Sequence, residues 1–215
     1  RRAGLEMVTT GKIAHSSCPE LGDNAIYRMT EAISKIRGIT CHQDPDMGTE
    51  VIELVDILSS PYPGNGFVPG SCRTFWECRL LAGETKNSFY QRWMEALKGM
   101  DKVQLNYATL EVDCYTSAKL KKIDFLPGWK LEKDAPFKKQ GEKAMLDSGV
   151  DLEYYNVPYG SNGDLSGGLM GIPTLVLGPG DINLAHKPNE HIYVKDLLKA
   201  VEIYSRVIEL NGKFS

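Results

Sequence analysis

Phe67-Val68-Pro69-Gly70-Ser71-Cys72-Arg73-Thr74-Phe75-Trp76-Glu77-Cys78-Arg79-Leu80 alternates clearly once past its opening turn. Cys72, Thr74, Trp76, Cys78 and Leu80 fall on one side, with Arg73, Glu77 and Arg79 on the other. A period of two over this length predicts a strand with one buried face. Cys72 and Cys78 share that face and read as small core residues. Working outward, Gly4 to Lys12 alternates in the same way, Leu5, Met7 and Thr9 against Glu6, Val8 and Thr10. Val51 to Leu58 predicts another strand, followed by the turn-rich Ser59-Ser60-Pro61-Tyr62-Pro63-Gly64-Asn65-Gly66. Ile26, Met29, Ile33 and Ile36 make one helical stripe, with Asp23 placed to cap it and Gly38 to end it. Thr85 to Lys98 carries Phe89, Trp93 and Leu97 four apart and stops at Gly99; Val103, Leu105 and Tyr107 mark a fourth long strand. The order β-α-β-β-α-β predicts a ferredoxin-like sandwich, an antiparallel sheet backed by two helices.

The second half has a different rhythm. A charged helix is predicted over Phe137 to Ser148, a strand over Leu152 to Asn156, and then the loop Pro158-Tyr159-Gly160-Ser161-Asn162-Gly163-Asp164. A short helix toward Met170 and a buried strand from Ile172 to Leu177 come next. The closing helix, Val194 to Leu210, places Leu197, Val201, Tyr204 and Ile208 on one face. Strands alternating with helices predict an α/β layer with a largely parallel sheet. The expected fold class is therefore α/β: an α+β domain over residues 1–112, then part of an α/β domain over 113–215.

Composition narrows the function classes. With 215 residues, 42% of them hydrophobic, the chain can bury one or two ordinary cores. A net charge of -3 with both signs interspersed offers no basic stripe for nucleic acid and no polybasic membrane patch. No apolar run approaches the roughly 20 residues of a membrane span. Five cysteines without regular spacing fit a reducing, cytoplasmic setting better than a disulfide framework. The chain opens Arg1-Arg2-Ala3-Gly4 with no initiator methionine, and its first strand pattern begins almost at once. A C-terminal piece of a longer protein is the expectation.

Two histidines carry the chemistry. Gly178-Pro179-Gly180 turns the chain after the 172–177 run and delivers His186, with Pro188 and Asn189-Glu190 behind it. A loop histidine after a buried strand can aim an imidazole nitrogen at a metal, and imidazole suits zinc and its neighbours. His15 stands in Gly11-Lys12-Ile13-Ala14-His15-Ser16-Ser17, followed by Pro19 and Asn24-Ala25. Together with Val68-Pro69, Arg79, Gly83-Glu84 and Ala185-His186-Lys187-Pro188-Asn189-Glu190, the order resembles a family of dinuclear-metal peptidases and deacylases. That family includes aminoacylases, acetylornithine deacetylase, succinyl-diaminopimelate desuccinylase and glutamate carboxypeptidases. Ser161-Asn162-Gly163 is most similar to its selenium-metabolism hydrolase subgroup.

The resemblance implies roles. His186 would be a ligand in a site of two divalent metal ions, zinc with cobalt or manganese as alternatives, that activates water against an amide carbonyl. His15 would come from a lid domain, reach across a homodimer and stabilise the oxyanion in the partner's site. The plain alternative is a strand-end histidine bonded to its own turn, with Ser16 and Ser17 nearby. Arg79, ten positions after Pro69, matches the lid arginine that grips a substrate carboxylate, although Gly66 stands where relatives have asparagine. The same arginine can equally belong to a solvated ladder with Arg73 and Glu77. Asn162 and Gly163 fall where many relatives have a Ser-Asp or Thr-Asp pair, and a Gly-rich loop there can offer N–H groups to substrate.

His42-Gln43-Asp44 imitates a metal motif but sits between the first helix and the second long strand, where a solvated loop is expected. The family's Glu-Glu pair and bridging aspartate have no counterpart. A metal-dependent hydrolase of N-acyl amino acids or small peptides is the expected whole, with this chain inactive alone. A non-catalytic dimerisation lid, a small-molecule-binding module and, least, an RNA-binding sheet stay open as alternatives.

Overall fold

The computed structural model describes residues 1–155 and 159–212, so the predicted Asn156 strand end and Pro158 loop start lie outside the described residues. Two compact units emerge, one of Arg1–Trp129 with Asn156–Asp164, the other of Lys130–Tyr155 with Leu165–Ser215. In the first, strands β1 (Arg2–Thr10) and β2 (Ala14–His15) precede helix α1 (Ala25–Arg37). Then come β3 (Gln43–Asp44), β4 (Gly48–Thr49), β5 (Val51–Ser60), β6 (Phe67–Val68) and β7 (Ser71–Arg79). Helix α2 (Lys86–Ala96) leads to β8 (Val103–Tyr107), β9 (Thr109–Asp113), β10 (Lys119–Ile123) and β11 (Phe125–Leu126).

The main sheet is antiparallel. β1 lies between β7 on one side and β8 with β11 on the other, and β5 forms the edge beyond β7. This is the ferredoxin-like order that the sequence pattern predicts. The alternation of β1 and β7 meets in register, with Leu5 opposite Trp76, Met7 opposite Thr74 and Thr9 opposite Cys72. Their inner face packs on Met29, Ala32 and Ile36 of α1 and on Phe89 and Trp93 of α2. Trp76 and Trp93 meet edge to face at 5.4 Å between centroids, a geometry worth about 0.5–1.5 kcal/mol beyond the area it buries.

Helix ends follow local chemistry, with one correction. Thr85 caps α2 in a reciprocal capping box with Ser88. α1 is capped by Asn24, whose side chain accepts from the Ile26 N–H at 2.9 Å, and not by the expected Asp23. Asp23 is engaged elsewhere: Lys102 at 2.7 Å and Arg28 at 2.8 Å grip its carboxylate and hold it below the usual range.

β9 and β10 form a separate two-stranded hairpin that the sequence pattern does not announce. Register puts Leu110, Val112 and Leu120 on one face and the Lys119–Asp113 and Lys121–Glu111 ion pairs on the other. Every residue of both strands is exposed, as is Tyr115 at the tip. Its base is stitched to β1, since Ala108 donates to the Gly4 carbonyl and Gly4 to that of Asp124.

The second unit holds α3 (Pro136–Asp147), the single π turn Asp164–Leu169 at its border, a short 3-10 turn Ile182–Leu184 and α4 (Val194–Asn211). α3 and α4 pack together, burying Ala144, Ala200 and Ile203. The predicted strands at 152–156 and 172–177 are not formed among the described residues. A strand needs a neighbour to complete its ladder, and the described residues supply none here. Without that sheet, Leu197, Val201 and Ile208, the predicted inner face of α4, stay about half exposed.

Gly4 interrupts the apolar run of β1 for a steric reason: a Cβ there would meet Asp124 Oδ2 at 2.5 Å. That carboxyl is almost fully buried, and burial pushes its pKa up despite Arg2 Nη2 at 3.0 Å. A carboxyl whose pKa is raised on folding costs nothing below its unfolded pKa; the penalty builds as pH rises through the window between the unfolded and folded values and is complete above the folded one. Asp124→Asn should therefore raise the urea midpoint at pH 7. The gain should vanish near pH ~3, below the unfolded value of about 3.9.

Candidate functional site

His15 sits on the two-residue strand β2, opposite Phe67 of β6. The loop that carries it is pinned at both ends. Gly11 donates to the Gly70 carbonyl at 2.8 Å, and Lys12 and Asp23 exchange backbone hydrogen bonds at 2.8 and 2.9 Å. A Cβ on Gly11 would come within 2.0 Å of the Asp23 carbonyl oxygen, so this crossing requires glycine. Beyond β2, Ser16 donates to Gly66 and Cys18 to His15, both backbone bonds, closing a tight turn. The His15 ring is exposed, and its Nδ1 lies 2.8 Å from Ser17 Oγ and 3.2 Å from Ser17 N. A strand-end histidine bonded to its own turn, with Ser16 and Ser17 nearby, is the plain alternative that the sequence offers for His15, and Ser17 supplies that bond. Its signal is a hydroxyl two residues beyond a turn residue, the spacing of local side-chain turns.

Arg79 ends β7 opposite Val51 on the sheet face away from the helices. Its Nη2 lies 3.5 Å from Glu77 Oε2, at the outer limit of a hydrogen bond, which leaves the guanidinium fork largely uncommitted to that partner.

The Ser161–Asp164 loop is a closed turn. Ser161 N–H donates to the buried Asp164 carboxylate, Asp164 N–H to the Ser161 carbonyl and Gly163 N–H to Ser161 Oγ. Gly163 lies close against Trp129, where a Cβ would meet the indole at 2.6 Å. The N–H groups of Ser161 and Gly163 are thus spent within the turn, and Asn162 between them is exposed.

In the second unit, His186 is exposed and adopts a left-handed backbone, φ 60°, as does Asn189, φ 66°. Such a conformation is costly for histidine and persists only where the surroundings hold it. Glu190 supplies the hold, its carboxylate accepting the His186 N–H at 3.1 Å. Asp181 caps the preceding 3-10 turn, and the His191 ring nitrogen pairs with the Asn189 carbonyl at 2.8 Å. No group of three or more His, Cys, Asp or Glu side chains able to hold a metal exists among the described residues. His186 can serve as one ligand of a shared site, not as a site by itself.

His42 is exposed and lies outside any strand, as the expected solvated link has it. Just beyond it β3 and β4 close a small hairpin, with the Asp44 carboxylate accepting two N–H bonds across its turn. His42 N–H donates to Glu50, and its Nδ1 lies 3.5 Å from Glu84. Both carboxylates are buried around one guanidinium. Arg92 forks onto Glu50 at 2.8 Å through both terminal nitrogens and reaches Glu84 at 3.0 Å; the Glu50 bonds push its pKa further up. The cluster ties α2 to the β4–β5 link and is structural.

A family model described as Peptidase family M20/M25/M40 matches residues 9–210. An acetylornithine deacetylase of Vibrio campbellii is 28% identical over 93% of this chain and 50% of its own length. The YgeY protein of Escherichia coli K12 is 25% identical over 96% of the chain and 52% of its own. Among solved structures, aminopeptidase PepT of Bacillus cereus aligns with a TM-score of 0.71 at 21% identity, covering 97% of this chain and 51% of that one. A tripeptidase of Staphylococcus aureus aligns at 0.69 and 19% identity, with 97% and 51% covered. These two likenesses concern the fold. The chain spans about half the length of the curated relatives it matches.

One prediction follows from the ligand count. Zinc titrated into the 215-residue chain should bind with a dissociation constant no tighter than on the order of 10 μM, because one imidazole gains little over water. A tight stoichiometric site by calorimetry would point instead to a local set built on His186, His191 and Asp181.

Proposed function

The chain belongs to peptidase family M20/M25/M40, and on that premise we propose that it works as part of a metal-dependent hydrolase cleaving the amide bond of an N-acyl amino acid or a small peptide. The observation that carries this reading is the presentation of His15. Its ring stands exposed at the end of a pinned loop with Nδ1 engaged by Ser17, which leaves Nε2 as the outward nitrogen. A donor held in advance at the place where negative charge develops stabilises a tetrahedral intermediate by about 3 kcal/mol.

In this reading residues 1–112 are a lid and dimerisation domain and residues 113–215 part of the catalytic domain. His186 supplies one metal ligand, its strained backbone held by Glu190. Two divalent ions, zinc or alternatively cobalt or manganese, would lower the pKa of a bound water and polarise the scissile carbonyl. Arg79 offers a fork for a substrate carboxylate, and the loop of Asn162 and Gly163 a further contact to substrate. The half-exposed apolar face of α4, and a single candidate ligand among the described residues, support a longer working enzyme, with these 215 residues inactive alone. Homodimerisation is favoured by the open edge of β5, with Val51, Val55 and Ile57 exposed. Five free thiols favour the cytoplasm, and among the described residues no helix is long and apolar enough to cross a membrane.

The test uses the full-length enzyme. His15→Ala should lower kcat by roughly 10²- to 10³-fold, and His186→Ala should abolish turnover with loss of bound metal. Mixing the two inactive variants should restore roughly a quarter of wild-type activity by statistical subunit exchange, since half the dimers regain one complete site. Proven exchange without recovery would remove the cross-subunit role of His15. Unchanged metal content in the His186 variant would remove that residue from the metal site.

A further inference from the structure

We infer that Ser17 is a positioning residue for His15: it fixes the imidazole as the Nε2–H tautomer and aims that N–H outward. The inference rests on His15 acting as the oxyanion donor, and its evidence is the geometry of one turn.

A backbone N–H can only donate. Ser17 N–H points at His15 Nδ1 from 3.2 Å, so that nitrogen carries a lone pair and the proton of the neutral ring belongs on Nε2. The Ser17 hydroxyl, 2.8 Å from the same nitrogen, then donates to it as well. Cys18 Sγ lies 3.7 Å behind that hydroxyl, close enough for a weak thiol bond to orient it. The backbone of the turn is otherwise occupied, with Ser16 N–H on Gly66 and Cys18 N–H on His15. The Ser17 N–H therefore has the imidazole as its partner.

Two donors from one residue on one ring nitrogen do more than choose a tautomer. They define the ring plane, because the backbone N–H and the hydroxyl approach Nδ1 from different points. An oxyanion donor must be a donor before substrate arrives, and a ring free to rotate or to place its proton on Nδ1 would offer a lone pair to a developing negative charge. Ser17 removes both faults, while its own hydroxyl stays on the far side of the ring from the outward nitrogen.

The test separates this inference from the reading beneath it. In nitrogen-15 spectra of the 215-residue chain, His15 should show the Nε2–H pattern. Ser17→Ala, which keeps the backbone N–H and removes only the hydroxyl, should move the Nδ1 resonance part of the way toward that of an unbonded nitrogen, and Ser17→Thr should return it. An Nδ1–H pattern in the wild type, or an Nδ1 resonance indifferent to Ser17→Ala, overturns the inference whatever the kinetics show. In the full-length enzyme Ser17→Ala should lower kcat about tenfold with KM within about twofold, and Ser17→Thr should recover most of it. Added to His15→Ala, the serine substitution should cost nothing more, as expected of a residue that acts through another. A further loss in that background would give Ser17 a role of its own and overturn the positioning role. Loss of activity in His15→Ala with none in Ser17→Ala also overturns it. A harmless His15→Ala would instead remove the oxyanion role while the spectra still decide what holds the ring.

Discussion

β1 is hydrogen-bonded along both edges, to β7 on one side and to β8 and β11 on the other, and the geometry of the first unit depends on that double pairing. A strand paired on both sides cannot slip by one residue without turning Leu5, Met7 and Thr9 out of the core. The direction in which the chain leaves Thr10 is therefore set by the whole sheet. Gly11 takes it over the Asp23 carbonyl, and the short β2–β6 ladder holds His15 at the end of the excursion. The position of one exposed imidazole is thus fixed by buried side chains some distance away.

A second constraint is electrostatic. Glu50 and Glu84 are buried beside a single guanidinium, with 1% and 8% of their side chains exposed. Removing two carboxylates from water is expensive, and the Arg92 fork, the His42 N–H and the Ser88 hydroxyl offset the cost. Such a cluster adds little net stability over an apolar filling. It dictates geometry instead, since the bidentate fork seats α2 against the β4–β5 link in one register.

The first unit was legible in the sequence because a half-buried antiparallel sheet writes itself as alternation. Trp76 and Leu5 announced their faces, and Phe89 and Trp93 their helix. The cap of α1 was misread because Asp23 and Asn24 are both good caps, and only the fold brings Lys102 and Arg28 to claim Asp23. The β9–β10 hairpin was illegible since Leu110, Val112 and Leu120 alternate with charges but have no core to enter. In the second unit the 172–177 run reads as a strand, yet pairing is a property of neighbours and the described residues provide none. The candidate site shows the same division. His15 and His186 stood out by motif, with Ser17 and Glu190 beside them as residues able to hold each loop, whereas the atoms that pair, Ser17 N–H and Oγ with Nδ1 and the Glu190 carboxylate with the His186 N–H, follow from backbone geometry that motifs do not display.

The hairpin has a consequence of another kind. Two strands without a third are marginal in water, and no residue of this pair is buried. It can fray while β1 and its neighbours stay closed, because no core contact is lost when it opens. Lys119, Lys121 and Lys122 all lie on its second strand. A trypsin-like protease acting on the native fold would meet its first cleavable bonds there, leaving the sheet and the His15 loop intact behind the nick.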